Sequence, residues 1–598
     1  MGDRSVTRNC GPDLARVGAG LPVAAYRDEI TTALHGGRAV IVAPPGTGKT
    51  TFVPPLVASR CSGRVIVTQP RRVAARAAAR RLAALTGTRP GEFASHTVHG
   101  ESTTTRDTKV EFVTTGVLLR RLLSDPDLTG VDAVVLDEVH ERHLDADLVV
   151  AMVCEVAQLR DDLTIVAMSA TVDSSGWAAF LGGVEPAPVV EVASALHELE
   201  VEWAPAAGAA VESRGVSREF LGHLGTVTVD ALDRHTEGSA LVFVPGAREV
   251  DHVVADLRSR LAGIDVVGLS GAMSAREQDH ALSDPGNVRR VIVSTAVAES
   301  SLTVPGVRLV VDSGLSREPR LDRGRGMAGL VTVRESRASA VQRAGRAARL
   351  GPGVAVRCLR AQDWAGMNAD PTPEVDHADL VASLLSLAVW GSPRGEGMAL
   401  PTPLPQDRVA AAEEELRDLG AVDAEGRITA RGRHLATFPL DPRLARALTD
   451  GAAIIGSRRC AEIAAMLGLE DGQVDFVGQW RQLHRGDTQR PRCGAAKLTG
   501  WPGSSTTFPL PTSPMTMPSP PSFPSLARGG LLAVEGRVPR RIYWPVARGL
   551  TFLATALQGC SGSRGWRWHV PRALLVAPSS GPLSRSRSRL LWSPVRRC

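Results

Sequence analysis

The chain has 598 residues, more than one hydrophobic core can organise, so about three to five domains are expected. Its hydrophobic fraction of 43% supports buried cores, yet its apolar runs are too short to span a bilayer. The formal charge of +6 hides an asymmetry: residues 491–598 carry 15 Lys plus Arg against one acid, Glu535, a net of +14 that leaves −8 for residues 1–490. Basicity belongs to the tail, and it gives no ground for reading the body as a nucleic-acid binder.

The opening "MGDRSVTRNCGPDLARVG" has no apolar signal core, and Val6 departs from a myristoylation pattern. Eight scattered cysteines without a CxxC argue against a zinc site and a disulfide framework, and fit reduced thiols in a cytoplasmic protein. From Leu21 short β-rich runs alternate with helix-forming segments: "AVIVA" (39–43), "VIVTQ" (65–69), "VEFVTT" (110–115), "AVVLDE" (133–138) and "LTIVAMSAT" (163–171). A second series follows with "ALVFVPG" (240–246), "VVGLSG" (266–271), "RVIVSTA" (290–296) and "VRLVVDSG" (307–314). Strands alternating with helices predict parallel sheets covered on both faces, hence two α/β domains in tandem. From about Asp376 the strands stop. "HADLVASLLSLAVWG" and "RVAAAEEELRDLGAV" read as helices, and "LGAVDAEGRITARGRHLATFPL" reads as the strand-and-turn unit of a winged helix.

After Arg490 the composition changes abruptly. A Pro/Ser-rich run, "SSTTFPLPTSPMTMPSPPSFPS", is followed by sequence almost without acids, and five of the ten tryptophans fall in residues 491–598. Disorder alone does not enrich Trp and Cys. The expectation is a disordered tail produced by a change of reading frame, the rival being a basic RNA-binding tail ending in "SRSRSR".

Two motifs carry chemistry. "AVIVAPPGTGKTT" runs from a strand into a glycine-rich turn, where Gly46, Thr47, Gly48, Lys49, Thr50 and Thr51 can cradle phosphates at a helix N-terminus. Lys49 would reach the β and γ phosphates, and the Thr50 hydroxyl would bind Mg²⁺. The chain contains only three lysines, Lys49, Lys109 and Lys497, so position 49 selects a compact ammonium over a guanidinium. A glycine turn joining a strand to a helix is common by itself. The second motif removes that bland reading: "VVLDEVHERHLDAD" (134–147) drives an apolar strand into a knot of charges, at the strand end where open α/β sheets bind ligands. There Asp137 would hold the Mg²⁺ shell and Glu138 would orient and deprotonate the attacking water.

The residues "LDEVHERHLDADL" resemble motif II of the DEAH-box helicases of superfamily two, and "MSAT" (168–171), "STAVAESSLTVPGV" (294–307) and "QRAGRAAR" (342–349) resemble motifs III, V and VI. The likeness is finest to the HrpB-type bacterial branch, through "TQPRRVAAR" (68–76), "TTGVLLR" (114–120) and the run from Val310 to Arg349, and it covers about Leu21 to Arg490. The resemblance implies two tandem RecA-like P-loop domains with parallel sheets, followed by a winged-helix and a helical region. The implied boundaries are an N-terminal extension over 1–20, the ATP-binding domain over 21–190 and the second helicase domain over 191–365. A winged-helix-like unit over 366–437, a ratchet-like helical segment over 438–490 and the divergent tail over 491–598 complete the chain.

By the same resemblance His140 links the nucleotide site to neighbouring motifs, Ser169 and Thr171 couple hydrolysis to strand movement, Gln342 faces the γ-phosphate, and Arg346 and Arg349 act as arginine fingers. Arg71, Arg72, Thr115, Gly116 and Thr295 would grip single-stranded RNA through its backbone, independently of sequence. The implied activity is ATP-driven, with other NTPs as possible fuels, moving 3′ to 5′ on RNA and remodelling RNA or ribonucleoprotein, as a monomer in the cytoplasm without a membrane partner. A DNA translocase carries the same motifs, and a nucleotide-binding scaffold with impaired unwinding is the reading from another class. Ala348 stands where the family has glycine, His99 where it usually has arginine and His96 where it has tyrosine.

Overall fold

Runs such as Ala39–Val42 and Ala133–Leu136 are apolar at every position, which suits a strand covered on both faces rather than one with a wet side. In the computed structural model they form the centre of an eight-stranded sheet. The structure describes residues 12–170, 174–193, 197–213, 215–286, 288–299, 302, 304–322 and 327–467. The divergent tail over 491–598, with its expected disorder and frame change, lies outside the described residues.

The first sheet contains β1 (Arg38–Val42), β2 (Arg64–Gln69), β3 (Ala94–Val98), β4 (Glu101–Ser102), β5 (Val110–Thr114), β6 (Val131–Leu136), β7 (Thr164–Ser169) and β8 (Val189–Glu191). Their order is β4-β3-β5-β2-β6-β7-β1-β8, parallel throughout except for the β3–β4 pair. Alternate side chains serve two cores: Val40, Val42, Val134 and Leu136 face one, and Ala39, Ile41, Ala133 and Val135 the other. This is the period-two pleat of a strand buried on both faces. The order β6-β7-β1 sets the carboxyl ends of three strands side by side.

β9 (Leu199–Trp203) begins the second sheet, and a small antiparallel pair, β10 (Val211–Glu212) and β11 (Gly215–Val216), lies apart from it. The sheet continues with β12 (Ser239–Phe243), β13 (Asp265–Leu269), β14 (Arg290–Ser294) and β15 (Val307–Asp312). An antiparallel pair, β16 (Leu315–Asp322) and β17 (Met327–Arg334), projects before the last strand, β18 (Gly353–Arg357). The six-stranded order is β13-β14-β12-β15-β18-β9, all parallel. The long antiparallel pair is absent from the sequence expectations because "LSREPRLD" carries charge instead of an apolar run.

Beyond β18 the described residues are helical, with Val381–Trp390, Gln406–Asp418, Ala430–Ala436, Pro442–Ile455 and Ser457–Leu467. The winged-helix strands shrink to one bridge, Val422 to Ile428. This region is not a free appendage. Val381, Leu384, Val409 and Leu416 share one core with Leu118, Leu148 and Val134 of the first sheet unit. Trp390 Nε1 donates to Glu155 at 2.6 Å across that junction. The second unit meets the first through the helix Arg72–Thr86, whose Val73 and Ala74 join Leu241, Leu269 and Ala281 in one cluster. Among the described residues no helix is long and apolar enough to cross a membrane.

Candidate active site at the cleft between the two sheets

β1 ends in a loop whose sharp reversal needs glycine. Gly46 and Gly48 have φ of +94° and +88°, in the left-handed region where a Cβ clashes with backbone. A Cβ at Gly48 would also lie 2.8 Å from a Leu21 methyl. Gly48 caps the helix Lys49–Ala58, so the first-turn N–H groups point into the loop. Thr47 Oγ1 donates to the Pro44 carbonyl at 2.8 Å and holds the turn shut, and Thr51 N–H donates to Gly48 O at 3.0 Å.

Two strands away, β6 delivers Asp137 and Glu138. Lys49 Nζ donates to Glu138 Oε2 at 2.9 Å with both side chains buried. Thr50 Oγ1 and Gln69 Nε2 donate to one Asp137 oxygen at 2.7 and 2.6 Å, and the Glu138 N–H donates to the other at 2.9 Å. Burial, then the adjacent Glu138 charge, push the Asp137 carboxyl up to about 7, against the opposing pull of Lys49. Burial works to raise Glu138 as well, but the Lys49 ammonium outweighs it and holds that carboxyl below its usual range. Glu138 thus stays ionised as a base. Its backbone sits at φ +57°, a strained setting for a non-glycine residue and one that aims the carboxylate at the loop.

His140 is the junction of three segments. Ala170 N–H, just past β7, donates to its Nδ1 at 3.2 Å. Burial lowers the His140 pKa, so the ring is neutral and its one proton resides on Nε2. That nitrogen lies 2.9 Å from the Gln342 side-chain amide of the second unit, and it donates there once the amide presents its oxygen.

Arg349 also crosses the cleft. Its Cδ and Nε come within 3.4 Å of where a Cβ on Gly46 would stand, so the guanidinium lies over the phosphate-type loop. Its Nε and Nη2 are shielded from solvent and have no hydrogen-bond partner among the described residues. Burial pulls its pKa down to about 10, with Glu138 opposing. A buried donor pair left unsatisfied costs free energy unless a ligand completes it.

Comparison with known proteins assigns the framework. The DEAD/DEAH box helicase family matches residues 26–177 and the helicase conserved C-terminal domain matches 224–351, while the winged-helix helicase associated domain (HA2) matches 412–440. The chain is 37% identical over 454 residues to the ATP-dependent RNA helicase HrpB of Escherichia coli (strain K12), covering 75% of this chain and 54% of that protein. It is 32% identical over 467 residues to the probable ATP-dependent RNA helicase DHX35 homolog of Caenorhabditis elegans, covering 76% and 63% respectively. The crystal structure of the Escherichia coli DEAH/RHA helicase HrpB superposes with a TM-score of 0.70 at 34% identity, over 80% of this chain and 60% of that one. The chain carries a DEAD/DEAH box helicase domain and a helicase conserved C-terminal domain in tandem. It spans about half to two thirds of the length of these relatives. Two tandem RecA-like helicase domains and an HA2 winged-helix region are thereby established.

The helicase motifs do not all present their residues alike. Arg346 is buried and donates from Nε to the Glu299 carbonyl at 2.9 Å and from Nη1 to the Leu302 carbonyl, so it braces the motif V turn while Arg349 reaches across. Arg71 Nη1 pairs with Glu141 at 3.0 Å, and the exposed Arg72 opens the helix behind it. Thr115 and Gly116 begin the helix after β5, and Thr295 follows β14 with its N–H on Leu269 O. All three therefore sit at carboxyl ends of strands. Ser169 ends β7 and is buried; Thr171 lies outside the described residues. His96 is buried in β3 and bonds Glu101 at 2.9 Å, a packing role, whereas His99 is exposed.

Two residues of the site escaped sequence reasoning. Gln69, fully buried, holds Asp137; it ends an apolar strand as Asp137 does, and the same strand-end argument would have found it. Arg343, the second residue of motif VI, has 1% of its side chain exposed and is bonded to Glu299 at 2.9 Å and Asp312 at 3.1 Å and stacked 5.0 Å from the Phe243 ring. It fixes the helix Arg337–Ala344 that carries Gln342.

Proposed function

We propose that the chain is an RNA-stimulated ATPase that couples hydrolysis to 3′-to-5′ movement on RNA and remodels RNA or ribonucleoprotein, acting as a monomer. Its motor would comprise residues 21–190 and 191–365, with 366–437 and 438–490 as the winged-helix and helical regions. The observation that carries the reading is Arg349, whose Nε and Nη2 have no partner among the described residues and which reaches from the second domain onto the first domain's glycine loop.

The residues present fit a metal-bound triphosphate. Thr50 Oγ1 and the Asp137 carboxylate, 2.7 Å apart, are the oxygen donors that Mg²⁺ takes, and the ion bound there would neutralise phosphate charge. Gly46 to Lys49 offer N–H groups to phosphate oxygens, and Lys49 leaves Glu138 to meet them. Glu138, released from Lys49, would accept the proton of the attacking water. Arg349 stabilises charge on the transferring phosphoryl group, so turnover depends on the cleft being closed. Through His140 and Gln342 the base-bearing turn senses the position of the second domain. Arg71, Arg72, Thr115, Gly116 and Thr295 are the proposed backbone grip on RNA, and Ser169 and Thr171 the proposed coupling pair.

The relatives named as ATP-dependent RNA helicases support the substrate. The deciding experiment measures ATP hydrolysis with single-stranded RNA or with DNA of the same sequence, then unwinding of duplexes bearing a 3′ or a 5′ RNA tail. Stimulation by RNA and displacement from the 3′ tail are expected. Equal stimulation by DNA would assign a DNA translocase instead.

A further inference from the structure

Motif II continues as Glu141-Arg142-His143, and His143 is not used by the mechanism above. Its Nε2 lies 2.9 Å from Glu141 Oε2 and its Nδ1 3.3 Å from Glu374 Oε2. Carboxylate oxygens only accept, so both ring nitrogens must donate and the ring carries a charge. The two carboxylates outweigh partial burial and raise its pKa well above the ordinary range, although two fifths of the side chain is exposed. Glu141 in turn holds Arg71.

Glu374 belongs to neither RecA-like sheet. It lies on the segment leaving the second domain, which is pinned at both ends. Upstream, the carbonyls of Asn368 and Ala369 accept the Arg337 and Ala338 N–H groups at 2.9 Å, at the start of the helix that carries Gln342. Downstream, Glu374 N–H donates to Arg142 O at 3.2 Å, and its carboxylate accepts the Leu144 N–H at 3.0 Å, at the N-terminus of the helix Leu144–Leu159. Between Ala369 and Glu374 only a few residues separate the motif VI helix from the motif II turn. The strap therefore fixes the spacing between the turn that carries Glu138 and the helix that leads to Arg349.

We propose that His143 and Glu374 are a positioning pair for the hydrolysis step: by clamping the strap onto the motif II turn, they hold Glu138 in register with Arg349 of the second domain. The pair deepens the proposed ATPase and rests on that reading. Neither residue touches the nucleotide loop, so breaking the pair misaligns the closed state without removing a nucleotide ligand. Loss of alignment lowers kcat and leaves ATP binding in place.

The test is steady-state ATP hydrolysis by the full chain at saturating single-stranded RNA. Glu374→Gln keeps the size of the side chain and an acceptor for Leu144 while removing the charge. It should lower kcat by about tenfold, the scale of a site-to-site coupling, with the KM for ATP moving less than about twofold. His143→Ser should do the same, and the double variant should be no slower than the slower single one, because the two residues act as a unit. His143→Arg, which can span both carboxylates, should recover most of the rate. Should His143→Ser fail to fold, Glu374→Gln carries the test alone. An unchanged kcat in Glu374→Gln, a rise in KM alone, or losses that multiply in the double variant would overturn the pair. A parent chain that hydrolyses no ATP would remove the proposed function and the pair together, whereas an active parent with an unaffected Glu374→Gln removes the pair only.

Discussion

Arg349→Ala separates a catalytic arginine from a structural one, because the two roles predict opposite signs in stability. Its Nε and Nη2 are buried without partners among the described residues, donors whose desolvation costs about 1–3 kcal/mol each. Truncation removes that cost and gives up the packing of its alkyl stem near Gly46. The two contributions oppose each other, so the thermal midpoint should hold steady or rise. Hydrolysis should respond very differently. A trans arginine contributes about 10³–10⁵ in rate, equivalent to about 4–7 kcal/mol of transition-state stabilisation. The assay pairs thermal unfolding with RNA-stimulated ATP turnover on the same preparation. A midpoint that does not fall together with a rate at least about 10³ lower fits the reasoning. A lower midpoint with a rate close to the parent's would make Arg349 a packing residue and remove the cross-cleft site.

Glu138→Gln should retain ATP binding and arrest turnover, seen as nucleotide retained on a protein that no longer releases phosphate, while Lys49→Ala should lose hydrolysis through missing phosphate charge compensation. Arg343→Ala should destabilise the second domain by about 3–5 kcal/mol, since Asp312 is left as a buried carboxylate without its cation; urea unfolding measures it. Asp137 is held at about 7 against an ordinary 3.8, so between those values the folded chain binds a proton that the unfolded chain does not. The stability contributed by that group is complete below pH 3.8 and is lost as pH rises through 7, and Asp137→Asn should flatten this part of a pH–stability curve. A chain ending at Arg490 should keep ATP hydrolysis, because every proposed catalytic residue lies between Gly46 and Arg349.

Much of the fold was legible because its signals are local. A strand buried on both faces must be apolar at each position, and a glycine loop must use glycine where φ is positive; both appear as unbroken letters in "AVIVAPPGTGKT" and "AVVLDE". The same strand-end rule gathered Lys49, Asp137 and Glu138 before any coordinates were needed. Strands that lack an apolar run, such as β16 and β9, were invisible in sequence, since their place is set by pairing with a neighbour and not by their own composition. Only the tertiary structure decided how Arg346 and Arg349, three residues apart, divide their labour, one donating to its own domain's carbonyls and the other reaching across the cleft. It alone joined His143 to Glu374 and merged the winged-helix residues into the first domain's core. Those outcomes depend on which surfaces meet at long range, and a burial pattern read along the chain states that a face is apolar without naming what covers it.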